Sequence, residues 1–236
     1  MRPPPPAWDP SVRITIRRAA AAFGLWIVAL VLSGLAVAVI SGTPRRDHLL
    51  FALAPNVAGL VAYICLILGC VWAAAPTGNV RRCLGLEAPD DWGRALGLAG
   101  ATIVTALIAS ALLEPLLHGG RSQGLTPARF PGGAEATAGV LVAIITYTVV
   151  GPIAEELFFR GVGYAALRGI AGPGMTAVGT GAVFSALHLE PRAFAVLLVL
   201  GVLLGLLYEW TGSTMPGMIV HGLNNGLALL VAFFAH

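Results

Sequence analysis

The sequence predicts an all-α, polytopic membrane helical bundle, and three observations predict it. Of the 236 residues, 57% are hydrophobic and only 11% are charged, against roughly 45 to 50% and about 25% in an ordinary soluble domain. The apolar residues gather into seven runs. These runs lack period-2 alternation and mostly exceed strand length, which disfavours a barrel. In lipid each backbone N–H and C=O must be paired within its own segment, so helices follow. The same balance excludes a soluble enzyme and a disordered tail. It also excludes a nucleic-acid partner: a net charge of +3, with 14 scattered arginines and no lysine, makes no DNA-binding face.

In chain order, Pro3 to Pro6 with Arg2, Arg13, Arg17 and Arg18 around them cannot bury themselves, and residues 1–18 are expected to form a cytosolic tail. The run from Ala19 to Ile40 is longer than a signal-peptide core, and no small-x-small cleavage site before Ser41 is convincing, so it is expected to remain as the first span. Leu49 to Ala75 and Ala95 to Leu113 complete a three-helix unit over residues 19–133. Pro55, Gly59 and Gly69 suit kinks and close helix contacts there. The stretch from Glu114 to Gly133, rich in Gly, Pro and Arg and containing His118, is expected to be an extramembrane loop. It leads into a core over residues 134–236.

That core holds Ala136 to Val150, the short run Met175 to Leu187, Ala193 to Leu207 and Pro216 to Phe234, which brings the expectation to about seven spans. Gly201 and Gly205 form a small-xxx-small pair, expected to bring helices of one bundle together. With the amino terminus inside, nine arginines lie on cytoplasmic segments and five outside, so the positive-inside rule favours that orientation. Cys65, Cys70 and Cys83 are too few and too poorly spaced for a disulfide scaffold or a four-cysteine zinc site, and are read as reduced packing residues. All-arginine basic usage with abundant Ala and Gly hints at a GC-rich genome, hence a multi-pass protein of a bacterial cytoplasmic membrane. Membrane lipids are the expected surroundings, and oligomeric state is open.

Most ionisable residues lie at the ends of runs, where Glu114, Glu209 and the paired arginines need only interfacial explanations. The exceptions cluster in the last hundred residues. V-V-G-P-I-A-E-E-L-F-F-R-G, from Val149 to Gly161, sets Glu155 and Glu156 side by side just past an apolar helix. Either both are solvated at the interface or they face a polar cavity, because a carboxylate at mid-bilayer costs about 2.5 to 3.5 kcal/mol. Helical neighbours differ by about 100° in direction, so the two point differently. Glu156 and Arg160, four apart, suit an ion pair, which leaves Glu155 for another task. F-S-A-L-H, Phe184 to His188, ends one helix, where His188 reads as a cap or as a functional group. H-G-L-N-N, His221 to Asn225, lies inside the last run, where imidazole and carboxamide want polar partners. One carboxylate, two imidazoles and an amide form an inventory for water-mediated amide hydrolysis. Ser185 lies nearby without a G-x-S-x-G elbow, so covalent catalysis is less economical.

These motifs in order, E-E-x-x-x-R at Glu155, Glu156 and Arg160, F-x-x-x-H at Phe184 and His188, and H-x-x-x-N at His221 and Asn225, resemble the CAAX-protease and bacteriocin-processing (CPBP, or Abi) family of intramembrane endopeptidases. That family includes the type II CAAX prenyl endopeptidase, and the resemblance spans roughly Ala136 to Phe234. It implies a membrane fold around a conical cavity, with Glu155 and His188 activating water and His221 and Asn225 steadying the tetrahedral intermediate. Glu156, Arg160 and Phe184 would support them. Spacing selects Asn225, although Asn224 could compete. The implied substrate is a hydrophobic or lipidated peptide.

No cofactor is required by this reading, yet Glu155, His188 and His221 could hold a zinc ion. The H-E-x-x-H of a zincin is absent, and a metal-independent glutamate mechanism is favoured. Two other functions stay in view. One is a non-proteolytic bacteriocin-immunity or binding protein of the same fold. The other is a proton-coupled transporter that uses the acids and histidines as a relay, against which the lack of an internal repeat counts.

Overall fold

A computed structural model describes residues 14–41, 48–113 and 134–234, and within them the chain is helical with no strand. The proline-rich opening, Arg45, Arg46 and the Glu114–Gly133 loop with His118, Arg121 and Arg129 lie outside the described residues. The helices are α1 (Ile16–Ser41), α2 (His48–Ala74), the short α3 (Val80–Cys83), α4 (Trp92–Leu113), a composite α5 over residues 134–168, α6 (Pro173–Leu187), α7 (Phe194–Thr211) and α8 (Met215–Phe234). Five stretches are long and apolar enough to cross a bilayer: Ile16–Ile40, Leu53–Thr77, Trp92–Leu113, Ala138–Arg168 and Phe194–Thr211. The other two expected spans are shorter: α6 has 15 residues, and the apolar part of α8 is Met215–Val231. Leu25, Val28, Leu32, Leu35 and Val39 of α1 are exposed, as are Val61, Ile64 and Leu68 of α2 and Val104, Ile108 and Leu112 of α4. Apolar faces of this extent belong against lipid. The chain is an integral membrane protein with a polytopic helical fold.

Local chemistry sets the helix ends. Asp91 Oδ1 accepts from the Arg94 N–H at 2.9 Å, an N-cap for α4. Asn79 Oδ1 does the same for Arg82 N–H at the start of α3. Arg18, near the start of α1, donates to the Trp72 carbonyl at 3.1 Å and stacks over the Trp72 ring. A cation thereby meets the unpaired carbonyl end of α2 and ties the pair together. The turn after α3 docks on the α7–α8 junction, where Thr214 N–H donates to Gly85 O at 2.9 Å and Thr214 Oγ1 to the same oxygen at 3.0 Å. Gly85 has φ +65, and a Cβ there would meet Tyr208 at 2.7 Å, so only glycine suits that turn.

The three cysteines are unbridged, with Cys70 and Cys83 buried. In the turn between spans, burial pushes the Cys83 thiol above its ordinary range.

The small-residue pair behaves as an intrabundle contact. A Cβ on Gly201 would meet Gly181 at 2.8 Å, and one on Gly205 would meet Ala177 at 3.2 Å, so two small pairs face each other across α6 and α7. In the core, Phe23 of α1 stacks on Phe158 of α5, Phe158 meets Phe159 edge-on, and Phe159 meets Phe184 of α6 edge-on. This aromatic chain leads from the first helix to the polar centre.

The largest departure from expectation is α5. The fourth run was expected to end at Val150. The helix instead continues to residue 168, through wider i→i+5 turns at Thr146–Val150 and Leu157–Tyr164. Gly151 N–H bonds Thr146 O, and Pro152 has no N–H to give. The widened turn spares the proline ring its clash with the preceding turn, so the helix need not stop. Glu155, Glu156 and Arg160 therefore lie within a spanning helix. Arg160, fully buried, drops out of the loop charges used to orient the chain.

Candidate active site

Glu156 and Arg160 share a face of α5, as their spacing requires. Arg160 Nη1 donates to Glu156 Oε1 at 2.7 Å with both side chains fully buried. Arg160 Nη2 donates to the Gly201 carbonyl at 2.9 Å, and its guanidinium carbon stands 5.2 Å from the Phe184 ring centroid. A buried charge is tolerated only when paired and hydrogen-bonded, and this one has both. Glu156 Oε2 accepts no protein hydrogen bond. It lies where a Cβ on Gly217 would come within 2.7 Å, so glycine lets α8 close over it.

His221 of α8 joins the two glutamates. Its Nδ1 is 3.2 Å from Glu156 Oε1, and its Nε2 is 3.7 Å from Glu155 Oε2. A carboxylate held by arginine can only accept, so Nδ1 donates to Glu156 and Nε2 is the ring nitrogen turned toward Glu155. The two glutamates do diverge on the helix, yet they end on opposite nitrogens of one imidazole.

Glu155 is buried as well. Its Oε1 accepts from the Tyr63 hydroxyl at 2.8 Å, and its Oε2 accepts no hydrogen bond from the protein. Tyr63 was not foreseen. The available signal is a stripe on α2 at Asn56, Gly59 and Tyr63, spaced as one helical face. Asn56 Nδ2 donates to Gly139 O, Gly59 faces Thr146, and the Tyr63 ring passes Gly151.

His188 and Asn225 stand differently. His188 is exposed on the last turn of α6, just before Leu189, whose φ of 53° is uncommon for a side-chain-bearing residue. Its Nδ1 donates to Phe184 O at 2.8 Å. Its ring lies 4.6 Å from that of Phe184, whose edge meets His221 at 5.5 Å. Phe184 thus contacts both imidazoles, and among the described contacts no hydrogen bond joins His188 to Glu155. Asn225 Nδ2 donates to Tyr147 O at 3.1 Å. Pro152 explains that contact, because Tyr147 O would otherwise look to the N–H that proline lacks or to that of Gly151, which bonds Thr146 instead. Gly222 approaches the same turn, where a Cβ would meet Thr148 O at 2.6 Å. Asn224, beside Asn225 in the chain, is half-buried.

The candidate zinc ligands Glu155, His188 and His221 do not assemble. Among the described residues no three His, Cys, Asp or Glu side chains form a metal-binding group. His188 is turned to a backbone carbonyl, and Glu156, the remaining acid, is held by Arg160. The donors as arranged do not fit a three-ligand zinc site. Ser185, set aside as a nucleophile, donates to Phe194 O at 2.6 Å and ties α6 to α7. Glu209, expected at the interface, is instead buried. It accepts from Tyr164 at 2.8 Å and pairs with Arg168 at 3.3 Å.

Fold and site together describe a polytopic membrane protein with an acid–histidine cluster enclosed among its helices. Residues 137–227 match the family model described as Type II CAAX prenyl endopeptidase Rce1-like, which supports the CAAX-protease and bacteriocin-processing family read from the motifs. Every candidate residue from Glu155 to Asn225 falls inside that stretch, and Tyr63 falls outside it. No curated protein and no solved structure matches the chain. The family implies a membrane-embedded protease acting on a peptide substrate in a lipid environment.

Proposed function

We propose that the chain is an intramembrane endopeptidase that hydrolyses a peptide bond in a hydrophobic or lipidated peptide, with Glu155 as general base. The observation that carries this reading is the contrast between the two buried carboxylates. Glu156 is neutralised by Arg160 and orients His221. Glu155 is held by a neutral phenol through one oxygen and keeps the other without a protein donor. Oε2 of Glu155 is thus the carboxylate oxygen left open to take a proton from water.

Water attacking the scissile carbonyl gives its proton to Glu155 Oε2 as the C–O bond forms. When the C–N bond of the tetrahedral intermediate breaks, that proton passes to the leaving amine, with His221 Nε2 close enough to share it. Asn225 Nδ2 gives one hydrogen to Tyr147 O and keeps a second for the developing oxyanion. His188, with Nδ1–H committed to Phe184 O, offers Nε2 to the same water. Zinc enters none of these steps. The bacterial cytoplasmic membrane is the proposed location, with the amino terminus inside.

The test uses purified protein in nanodiscs and an internally quenched peptide whose cysteine carries a farnesyl thioether, in water enriched in ¹⁸O. The expected result is cleavage on the carboxyl side of the modified cysteine, with one ¹⁸O in the new carboxylate, unaffected by chelators. Loss of cleavage on chelation with recovery only on adding Zn²⁺ contradicts the metal-free step. No cleavage of prenylated or plain hydrophobic peptides, together with protection of cells by a Glu155→Ala variant, favours the immunity reading. Proton flux in proteoliposomes favours the transporter.

A further inference from the structure

We infer that Tyr63 is a positioning residue for the Glu155 carboxylate, supplied to the site by a helix outside the family-matched segment; the inference rests on the peptidase reading above. Three observations carry it. The Tyr63 hydroxyl donates to Glu155 Oε1 at 2.8 Å from within a spanning segment. The opposite oxygen, Oε2, is the one that lies 3.7 Å from His221 Nε2 and accepts no protein hydrogen bond. Gly151 sits where a Cβ would come within 3.1 Å of the phenol ring, so a missing side chain on α5 admits the tyrosine.

A carboxylate has two near-equivalent oxygens and a soft terminal torsion, which lets it rotate about its own axis. Binding Oε1 selects the rotamer and leaves Oε2 as the oxygen facing His221. An arginine or lysine in that position would fix the same rotamer and also neutralise the charge, as Arg160 does for Glu156. A phenol orients without neutralising. The helices before residue 114 are therefore part of the machine through one side chain, although the matched segment begins after them.

The experiment compares wild type, Tyr63→Phe and Glu155→Gln as full chains in nanodiscs, with the farnesylated peptide as probe. Tyr63→Phe keeps the ring that packs on Gly151 and removes only the donor. Its kcat is expected to fall about 10- to 100-fold, the range of a hydrogen bond to a charged group, with KM within about twofold of wild type. Unchanged kcat in Tyr63→Phe beside an inactive Glu155→Gln overturns the inference and leaves the peptidase reading standing. Wild-type rates in Glu155→Gln overturn that reading and this inference together. Infrared difference spectra supply a readout that needs no turnover. The carboxylate band that vanishes in Glu155→Gln is expected to shift in Tyr63→Phe, and an unshifted band overturns the contact itself.

Discussion

The helices before residue 114 and those after residue 134 are built from similar apolar material and treat polar groups in opposite ways. Before residue 114, Thr102 is the one buried polar or charged side chain among the described residues. After residue 134 the buried set includes Glu155, Glu156, Arg160, Glu209 and His221, and no buried acidic or basic side chain lies elsewhere among the described residues. A charged group in hydrocarbon is expensive unless another helix supplies its partner. In the second half each does: α8 answers Glu156, the α7 backbone answers Arg160, and α5 answers Glu209. The first half presents lipid-facing surface and lends one phenol. Polar chemistry in this fold is concentrated where three helices can share it.

That contrast can be broken most severely at the buried ion pair. Arg160→Met leaves Glu156 buried without its countercharge and is expected to cost about 3–5 kcal/mol of stability. The double variant with Glu156→Gln should lose less than Arg160→Met alone. Unfolding in mixed detergent measures both, and equal losses would mean that the pair's charges matter little. Glycines sharpen the comparison at a smaller scale. Gly201→Ala should cost about 1–3 kcal/mol, because its Cβ has nowhere to go between α7 and α6. Gly97→Ala in α4 meets nothing within 4 Å. It should be neutral or stabilising by up to about 1 kcal/mol. Similar losses at both positions would deny the difference in packing.

The parts of this arrangement written in local patterns were legible in the sequence. The three amino-terminal helices follow from their apolar runs, the Glu156–Arg160 contact from four-residue spacing, and the α6–α7 contact from Gly201 and Gly205. What escaped depends on partners distant in sequence. The continuation of α5 past Val150 escaped because a widened turn, supported by Gly222 and Asn225 of α8, cannot be seen in the run itself. Glu209 sits at the end of α7, where an interfacial residue is the ordinary reading, and only Tyr164 and Arg168 from another helix make it a buried one. Tyr63 is a single tyrosine in an apolar helix, and its role emerges only when Gly151 admits it beside Glu155.

The central claim is that Glu155, oriented by a neutral donor and placed beside His221, is the base of a hydrolytic site. Its most direct test is the cleavage rate of Glu155→Gln, an isosteric change that removes the proton acceptor, measured beside helicity and melting in nanodiscs. The account predicts an intact fold with a rate lowered by at least about 100-fold. An intact fold cleaving within twofold of wild type would contradict it.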